Sequence, residues 1–332
     1  MRKIYFIYPE FGSTITGGTL YDVQLCKYLK KIFIYHHSIA VNCDISNIKL
    51  YSKIKSIPKN SIIVVDGYLA NRIKDILKKY KNINLLVHHP CSLEDPYSRS
   101  SNLRLFFNER LAFSQANKIT TVSKYMKSKI SKYLNNYSNV SVVYPGIREC
   151  FFNSKDITKS KNILSIGNII PRKGYEWLIN SLSILEFDWH LNIIGSYNID
   201  NDYFQSLTAL IKKKNLEKKI TFLGSVETDI MLDYLHKSKL FILSTHYEGF
   251  GMALLESSIF GIKVITTDLP VLREILRNRD ADFIEEGNIH SLAESIEYNF
   301  NNTYPQPMTS SIDKYGWKRA ARNFKTVLYG KR

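Results

Sequence analysis

The sequence predicts an α/β protein built as two doubly wound parallel-sheet domains. Three observations carry this reading. Short apolar runs rich in Ile and Val recur along the chain and fit strands buried on both faces. Each run is followed by a longer polar or amphipathic stretch, the pattern of strand–helix–strand units. The alternation stops over the polar segment Gly146–Lys161 and restarts at Ile163.

In the first half the strand-like runs are Lys3–Tyr8, Ile62–Asp66, Leu85–His88, Ile119–Val122 and Val140–Tyr144. Helix-like stretches lie at Gly18–Leu29, Asn102–Gln115 and Lys124–Leu134. In the second half the runs are Ile163–Ile166, Leu191–Ile194, Ile220–Leu223, Leu240–Leu243, Val264–Thr266 and Asp282–Ile284. Helical patterns there cover Tyr175–Leu185, Asp202–Lys214 and Asp229–His236. Tyr304-Pro305-Gln306-Pro307 reads as a turn or extended crossing. After it Tyr315, Trp317, Ala320, Ala321, Phe324, Val327 and Leu328 fall at amphipathic-helix spacing. The expected division is a first domain over 1–155, a second over 156–310 and a closing helix over 311–332.

The length, 332 residues, suffices for two ordinary domains, and 44% hydrophobic with 23% charged residues excludes wholesale disorder. No apolar run approaches a membrane span. The opening Met1–Glu10 is too short in apolar residues for a signal peptide and reads as a first strand. Cys26, Cys43, Cys91 and Cys150 show no paired spacing, which argues against a disulfide framework or zinc site and makes a reducing cytoplasm the default. The charge is uneven. Residues 1–150 carry 23 Lys and Arg against 9 Asp and Glu, while 151–332 carry 23 against 21. A basic first half suits an anionic surface, whether nucleic acid, lipid or a phosphorylated substrate.

Ligands of such sheets bind outside the carboxyl ends of the strands, so the segments there are where chemistry is expected. After Leu240–Leu243 comes Ser244-Thr245-His246-Tyr247-Glu248-Gly249-Phe250-Gly251-Met252, running into a helical pattern that contains Glu256. Its glycines allow close backbone approach, and free N–H groups at a helix start suit a diphosphate. Carboxylates flanking such a site suit sugar hydroxyls. After Ile163–Ile166, Arg172-Lys173-Gly174 can neutralise a pyrophosphate. Gly17 and Gly18 sit between the first strand and its helix in a sequence that is neither a dinucleotide fingerprint nor a Walker loop. His88 and His89 end a strand and can anchor a ligand or carry a proton. The sequence shows no carboxylate–histidine grouping at metal-ligand spacing beside them, so a metal is not expected there. Asp200-Asn201-Asp202 and Asp280-Ala281-Asp282 have divalent-ion spacing, but they lie in polar turns and are not expected to hold one.

Together these residues resemble the retaining glycosyltransferases of family 4, which have the two-Rossmann-domain GT-B fold with a central cleft. The resemblance rests on the E-x7-E motif from Glu248 to Glu256 with its inner Gly249-Phe250-Gly251, on Arg172-Lys173-Gly174, and on Gly224-Ser225 after Ile220–Leu223. It extends to Gly17-Gly18, Leu86–Pro90 with Glu94, Val122–Tyr125, Val143–Ile147 and Tyr315-Gly316-Trp317, the last resembling a helix that crosses back to the first domain.

The resemblance implies that Arg172 and Lys173 bind a donor diphosphate. Gly251 and Met252 offer it backbone N–H groups. Glu256 holds ribose and Glu248 the donor hexose, with Gly249 and Phe250 between them. His88 lies beside the reacting sugar, with His89 as substitute, while Gly195, Gly224 and Ser225 border the nucleobase. Asn168 stands where many members carry an arginine, leaving the diphosphate to Arg172 and Lys173. The implied chemistry is retaining hexosyl transfer from a nucleotide sugar, without metal or other cofactor, to a glycan or lipid-linked acceptor. The first domain receives that acceptor, and Lys27, Lys30, Lys31, Lys49, Lys53, Lys55 and Lys59 suit a protein peripheral to the inner face of an anionic membrane. The competing readings are a nucleotide-sugar epimerase of the same fold and a basic nucleic-acid-binding protein. The latter leaves Glu248 and Glu256 unexplained, so no nucleic-acid partner is expected.

Overall fold

A computed structural model describes residues 2–11, 16–77, 79–80, 82–94, 99–152, 162–277, 280–302 and 314–330. The chain forms two compact units, Met1–Gly146 with Asp313–Arg332, and Ile147–Ile312. The change falls at Gly146, ahead of the 155/156 boundary read from the sequence. The reason is local: Arg148 and Phe151 are tied to Glu256 and Phe260 of the second unit. Residues 153–161 of the linker, Tyr304–Pro307 and the start of the closing segment at 311–313 lie outside the described residues.

The first unit holds strands β1 (Ile4–Glu10), β2 (His36–Asn42), β3 (Ile62–Asp66), β4 (Ile83–Val87), β5 (Ile119–Thr121) and β6 (Val140–Val142). They form one parallel sheet in the order β2-β1-β3-β4-β5-β6. β3 and β4 are buried along their whole length, as the apolar runs require. Five of these strands follow the sequence reading. The sixth, β2, is an edge strand whose His36-His37-Ser38 stretch is mostly solvent-facing, so it lacks the apolar run that betrays a buried strand. The helices here are α1 (Gly17–Lys31), α2 (Asn47–Lys55), α3 (Ala70–Leu77), α4 (Arg99–Gln115) and α5 (Lys124–Ser131).

The second unit holds helices α6 (Tyr175–Leu182), α7 (Asp202–Lys213), α8 (Thr228–Lys237), α9 (Met252–Ser258), α10 (Pro270–Ile275) and α11 (Ile289–Asn302). Its strands are β7 (Asn162–Ile166), β8 (His190–Ile194), β9 (Ile220–Gly224), β10 (Ser238–Leu243), β11 (Lys263–Thr267) and β12 (Ala281–Ile284). They are parallel, in the order β12-β11-β10-β7-β8-β9. The chain winds one way from β7 through β8 to β9 and the other way from β10 to β12. The switch point therefore lies between β7 and β10, where such sheets bind their ligands. The core of this unit gathers Ile163, Trp177, Leu178, Trp189, Leu191 and Ile242 among its members. At the start of α7 the cap is Asn201, whose side chain accepts from the Tyr203 N–H at 2.9 Å, and Asp202 follows as the first helical residue.

The last helix, α12 (Trp317–Tyr329), belongs to the first unit and packs on α1. Trp317, Ala320, Ala321, Phe324 and Leu328 form its buried face, with Trp317 edge-on to Tyr21 at 5.3 Å. Gly146 is needed here, because a Cβ on it would sit 2.3 Å from the Trp317 backbone nitrogen.

Candidate active site

At the switch point of the second unit the loops after β7 and β10 are stitched together through backbone. The Ser244 hydroxyl donates to the carbonyls of Lys173 and Gly174 at 3.1 and 3.0 Å, and that of Thr245 to the Arg172 carbonyl at 2.9 Å. The His246 N–H donates to the same Arg172 carbonyl at 2.8 Å. This close approach needs Gly174, which is left-handed at φ 61° and whose Cβ would lie 2.1 Å from the Ser244 carbonyl oxygen.

The stitching brings Arg172, Lys173 and Glu248 together. Lys173 Nζ donates to Glu248 Oε1 at 2.5 Å, and Arg172 lies 3.6 Å from Oε2 while donating to the Tyr247 carbonyl at 3.0 Å. Glu248 is only 7% exposed. Two cations and one carboxylate thus form one largely buried group with a surplus positive charge, the arrangement an anion with attached hydroxyls would meet. Gly251, left-handed at φ 101°, leads into α9, and Met252 opens that helix. Phe250 is buried and Gly249 precedes it.

Glu256, on α9, is 5% exposed and answers to a different partner. Arg148 grips both its oxygens, Nε to Oε1 at 2.7 Å and Nη2 to Oε2 at 2.8 Å. The guanidinium stacks on Phe151 at 4.3 Å. Burial pushes the Glu256 carboxyl above the ordinary range, while Arg148 opposes that shift. Sequence reading missed Arg148, since a lone arginine after a glycine turn carries no pattern. On the far side of β7, Gly167, Gly195 and Gly224 end three neighbouring strands. The Gly195 N–H donates to the Gly224 carbonyl, and a Cβ on Gly195 would meet the Gly167 oxygen at 2.0 Å. Ser225 beside them is exposed. Asn168, the departure noted in the sequence, ties this edge together by accepting from the Ser196 N–H at 3.1 Å.

In the first unit His88 follows β4, and the expectation that no carboxylates accompany it is corrected. Asp22 from α1 and Asp66 from the end of β3 place carboxylate oxygens 3.0 and 3.2 Å from His88 Nε2, with the three polar atoms within 4.8 Å of one another. The spacing of these residues in the chain hid the cluster, which only the parallel register of β3 and β4 and the fold of α1 onto them creates. Gly18 belongs to this cluster: a Cβ there would lie 2.9 Å from His88 Cδ2. Gly17 beside it has open space, and Thr16 caps the helix in a reciprocal box with Thr19. His89 is separate, paired with Glu94.

The two aspartates of the second motif make contacts within the protein. Asp282 is held by Lys263, Ser295 and Asn299, and Asp280 accepts from the Arg277 N–H. Asp200 and Asp202 are exposed.

Comparison with known proteins fits this geometry. Residues 147–319, over half of the chain, match the family described as glycosyl transferases group 1. The chain belongs to that family and is a glycosyltransferase. An uncharacterized glycosyltransferase of Haemophilus influenzae is 23% identical over 84% of this chain and 79% of its own length. The O-antigen chain mannosyltransferase RfbU of Salmonella typhimurium is 25% identical over 60% of this chain, which spans 55% of that relative. Among solved structures, sucrose-phosphate synthase from Thermosynechococcus elongatus superposes with a TM-score of 0.83 at 12% identity, covering 98% of both chains. Anabaena HepE in complex with UDP and glucose superposes at 0.81 with 15% identity over 100% of both chains. The fold is thus GT-B, two Rossmann-like units. Among the described residues no helix is long and apolar enough to cross a membrane.

Proposed function

We propose that this glycosyltransferase moves a hexose from a nucleoside-diphosphate sugar to a hydroxyl of a glycan or lipid-linked acceptor, with retention at the anomeric carbon and without a metal. The observation that carries the donor assignment is the Arg172–Lys173–Glu248 group at the switch point of the second unit. Breaking the sugar–diphosphate bond builds negative charge on the departing oxygen. Fixed cations stabilise that charge where it develops, so Arg172 and Lys173 perform the neutralisation that other transferases assign to a divalent ion. Glu248 accepts from hexose hydroxyls and Glu256, held by Arg148, from ribose, while Gly195, Gly224 and Ser225 border the base. The relatives named as mannosyltransferases support a hexose, and the UDP complex of HepE supports a nucleotide donor.

A thermal-shift screen of UDP- and GDP-sugars tests the donor, since a bound ligand stabilises the native state by mass action. The expected result is stabilisation of the wild type and its loss in Lys173→Ala. Transfer is then followed with the selected donor in EDTA, and the product anomer is read by NMR. Near-wild-type transfer by both Lys173→Ala and Glu248→Gln refutes the assignment. Dependence of transfer on added divalent ion refutes the metal-free chemistry.

The lipid-linked acceptor is supported by the basic first unit and by Leu103 and Phe107, exposed one turn apart on α4 beside exposed Arg104 and Arg110. Such a face suits the anionic inner leaflet, each basic residue there contributing about 1 kcal/mol. Sedimentation with anionic vesicles should exceed that with neutral ones at low salt, and equal recovery counts against the membrane reading.

A further inference from the structure

The Asp22–His88–Asp66 cluster has features that surface ion pairs lack. Its members come from three elements, α1, β3 and the segment after β4, at the carboxyl edge of the sheet. Asp22 is 0% exposed, Asp66 is buried, and the His88 side chain keeps 14% of its exposure. Both carboxylates address the same nitrogen, Nε2. A nitrogen facing two carboxyl oxygens at hydrogen-bond distance, at least one of them ionised, is favoured in its protonated form. Asp66 is fixed in turn, its Oδ1 accepting from the Tyr68 N–H at 2.6 Å. Among the described residues no group donates to the buried Asp22 Oδ2, and the hydrogen bond between Asp22 and Asp66 favours the protonated form of Asp22, which makes Asp22 the member least able to remain a bare anion. On the ring's other sides are Gly18, which leaves room for it, and Tyr21, edge-on at 5.1 Å and anchored to the Val143 carbonyl at 2.9 Å.

We propose that Asp22 and Asp66 are positioning residues for His88: they share its Nε2 proton, fix the ring against Gly18, and make His88 a hydrogen-bond donor toward a sugar hydroxyl rather than a general base. Two buried carboxylates side by side cannot both stay ionised beside one imidazole without leaving net charge. Of the neutral combinations, imidazolium with one carboxylate and one carboxylic acid keeps a charge-assisted hydrogen bond at Nε2, and the pattern of proton affinities agrees. Burial raises Asp22 well above the carboxylate range. Burial also pushes Asp66 up, but its hydrogen bond with His88 and further partners bring it below the ordinary value. Burial pulls His88 down, and Asp22 and Asp66 more than reverse this, taking it to about 10. Among the described residues the other titratable groups facing the cluster are Tyr21, Cys26 and Tyr8 beside Asp22 and Cys43 and Cys91 beside Asp66, all held neutral by burial that raises them. Across neutral pH the ring therefore donates at both nitrogens and has no lone pair with which to deprotonate an acceptor.

The kinetic arm of the test rests on the transferase reading; the spectroscopic arm does not. In 15N-labelled protein, with His88 assigned by a His88→Gln variant, the imidazole should stay doubly protonated from pH 6 to 8. In the Asp22→Asn/Asp66→Asn double variant, which removes both groups that raise it, it should titrate at or below the ordinary value of about 6.5. With the donor found by the thermal-shift screen, Asp66→Asn and Asp22→Asn should lower kcat by about tenfold or more while the donor KM stays within about threefold. The pH profile of the double variant should gain a limb at or below about 6.5 that the wild type lacks. Titration of wild-type His88 near 6.5 overturns the proposal, as do variants whose kcat and pH profile match the wild type. Calorimetric binding of one Zn²⁺ by the wild type, lost in both Asn variants, also overturns it in favour of a metal site. Should Asp66→Asn fail to fold by circular dichroism, the wild-type titration and Asp22→Asn decide the question alone.

Discussion

Replacing Arg148 with Met should unmask a buried charge whose cost can be worked out beforehand. The guanidinium donates to both oxygens of Glu256, and both side chains are largely buried, 13% and 6% exposed. Methionine keeps the apolar stem that lies on Phe151. What is lost is the counter-charge, and removing one partner of a buried pair costs about 3–5 kcal/mol. Glu256 has one escape, which is to take up a proton. From the ordinary glutamate value of 4.5, protonation at pH 7 costs about 3.4 kcal/mol, at about 1.36 kcal/mol per unit. That sets a ceiling of about 3 kcal/mol on the loss at pH 7. The sign follows from linkage. In the variant the folded pKa of Glu256 lies further above its unfolded value, so the penalty grows as pH rises above 4.5 and fades as pH falls toward it. Urea unfolding should show a loss of about 3 kcal/mol at pH 7 shrinking to about 1 at pH 5, a melting-point drop of roughly 6–12 °C at neutral pH. Adding Glu256→Gln should flatten the pH dependence. A loss under about 1 kcal/mol, or one that does not change between pH 5 and 7, refutes the argument.

The other stability predictions are simpler. Gly174→Ala combines a left-handed φ of 61° with a Cβ 2.1 Å from the Ser244 oxygen, so urea unfolding should show a loss of about 1–3 kcal/mol and nucleotide binding should weaken with the displaced Lys173. His246 is raised, first by its hydrogen bond with Glu176 and then by Glu286. Its stabilisation is complete below about 6.5 and is lost as pH climbs through the raised folded value, so a stability difference between wild type and His246→Gln that stays flat from pH 6 to 9 would contradict the pairing. Trp317→Ala empties the contact with Tyr21 and Tyr28 and should cost about 3–5 kcal/mol, measured by thermal unfolding.

What could be read in advance depended on distance along the chain. Ten of the strands announce themselves by short apolar runs, the edge strands β6 and β9 among them, and the last residues of an eleventh, β12, do the same; β2, an edge strand that opens His36-His37-Ser38, has no such run. The donor-side residues were legible because Arg172-Lys173-Gly174 and Glu248–Glu256 are compact local motifs following apolar runs. Their partners were not. Ser244 and Thr245 act through hydroxyls on backbone carbonyls across the switch point, which leaves no charge or spacing signature. Asp22 and Asp66 are single aspartates separated from His88 by whole strand–helix units, and only the β3–β4 register and the packing of α1 unite them.

The pairing of Glu248 with Arg172 and Lys173 leads to a prediction in which binding and catalysis part. In the structure the acid already neutralises part of the charge that a diphosphate needs. A free nucleoside diphosphate must therefore compete with Glu248 for Lys173, while a sugar nucleotide repays the competition by offering hydroxyls to the displaced carboxylate. Removing the charge with Glu248→Gln should then tighten binding of the bare nucleoside diphosphate, on the order of tenfold or about 1.4 kcal/mol, while lowering kcat/KM for transfer by a larger factor. Lys173→Ala should weaken the bare nucleotide and slow transfer together. Calorimetry with UDP and GDP, alongside transfer rates, separates the two. If Glu248→Gln weakens the nucleotide as much as Lys173→Ala does, the acid acts by holding the lysine in place, and its assignment to the hexose fails.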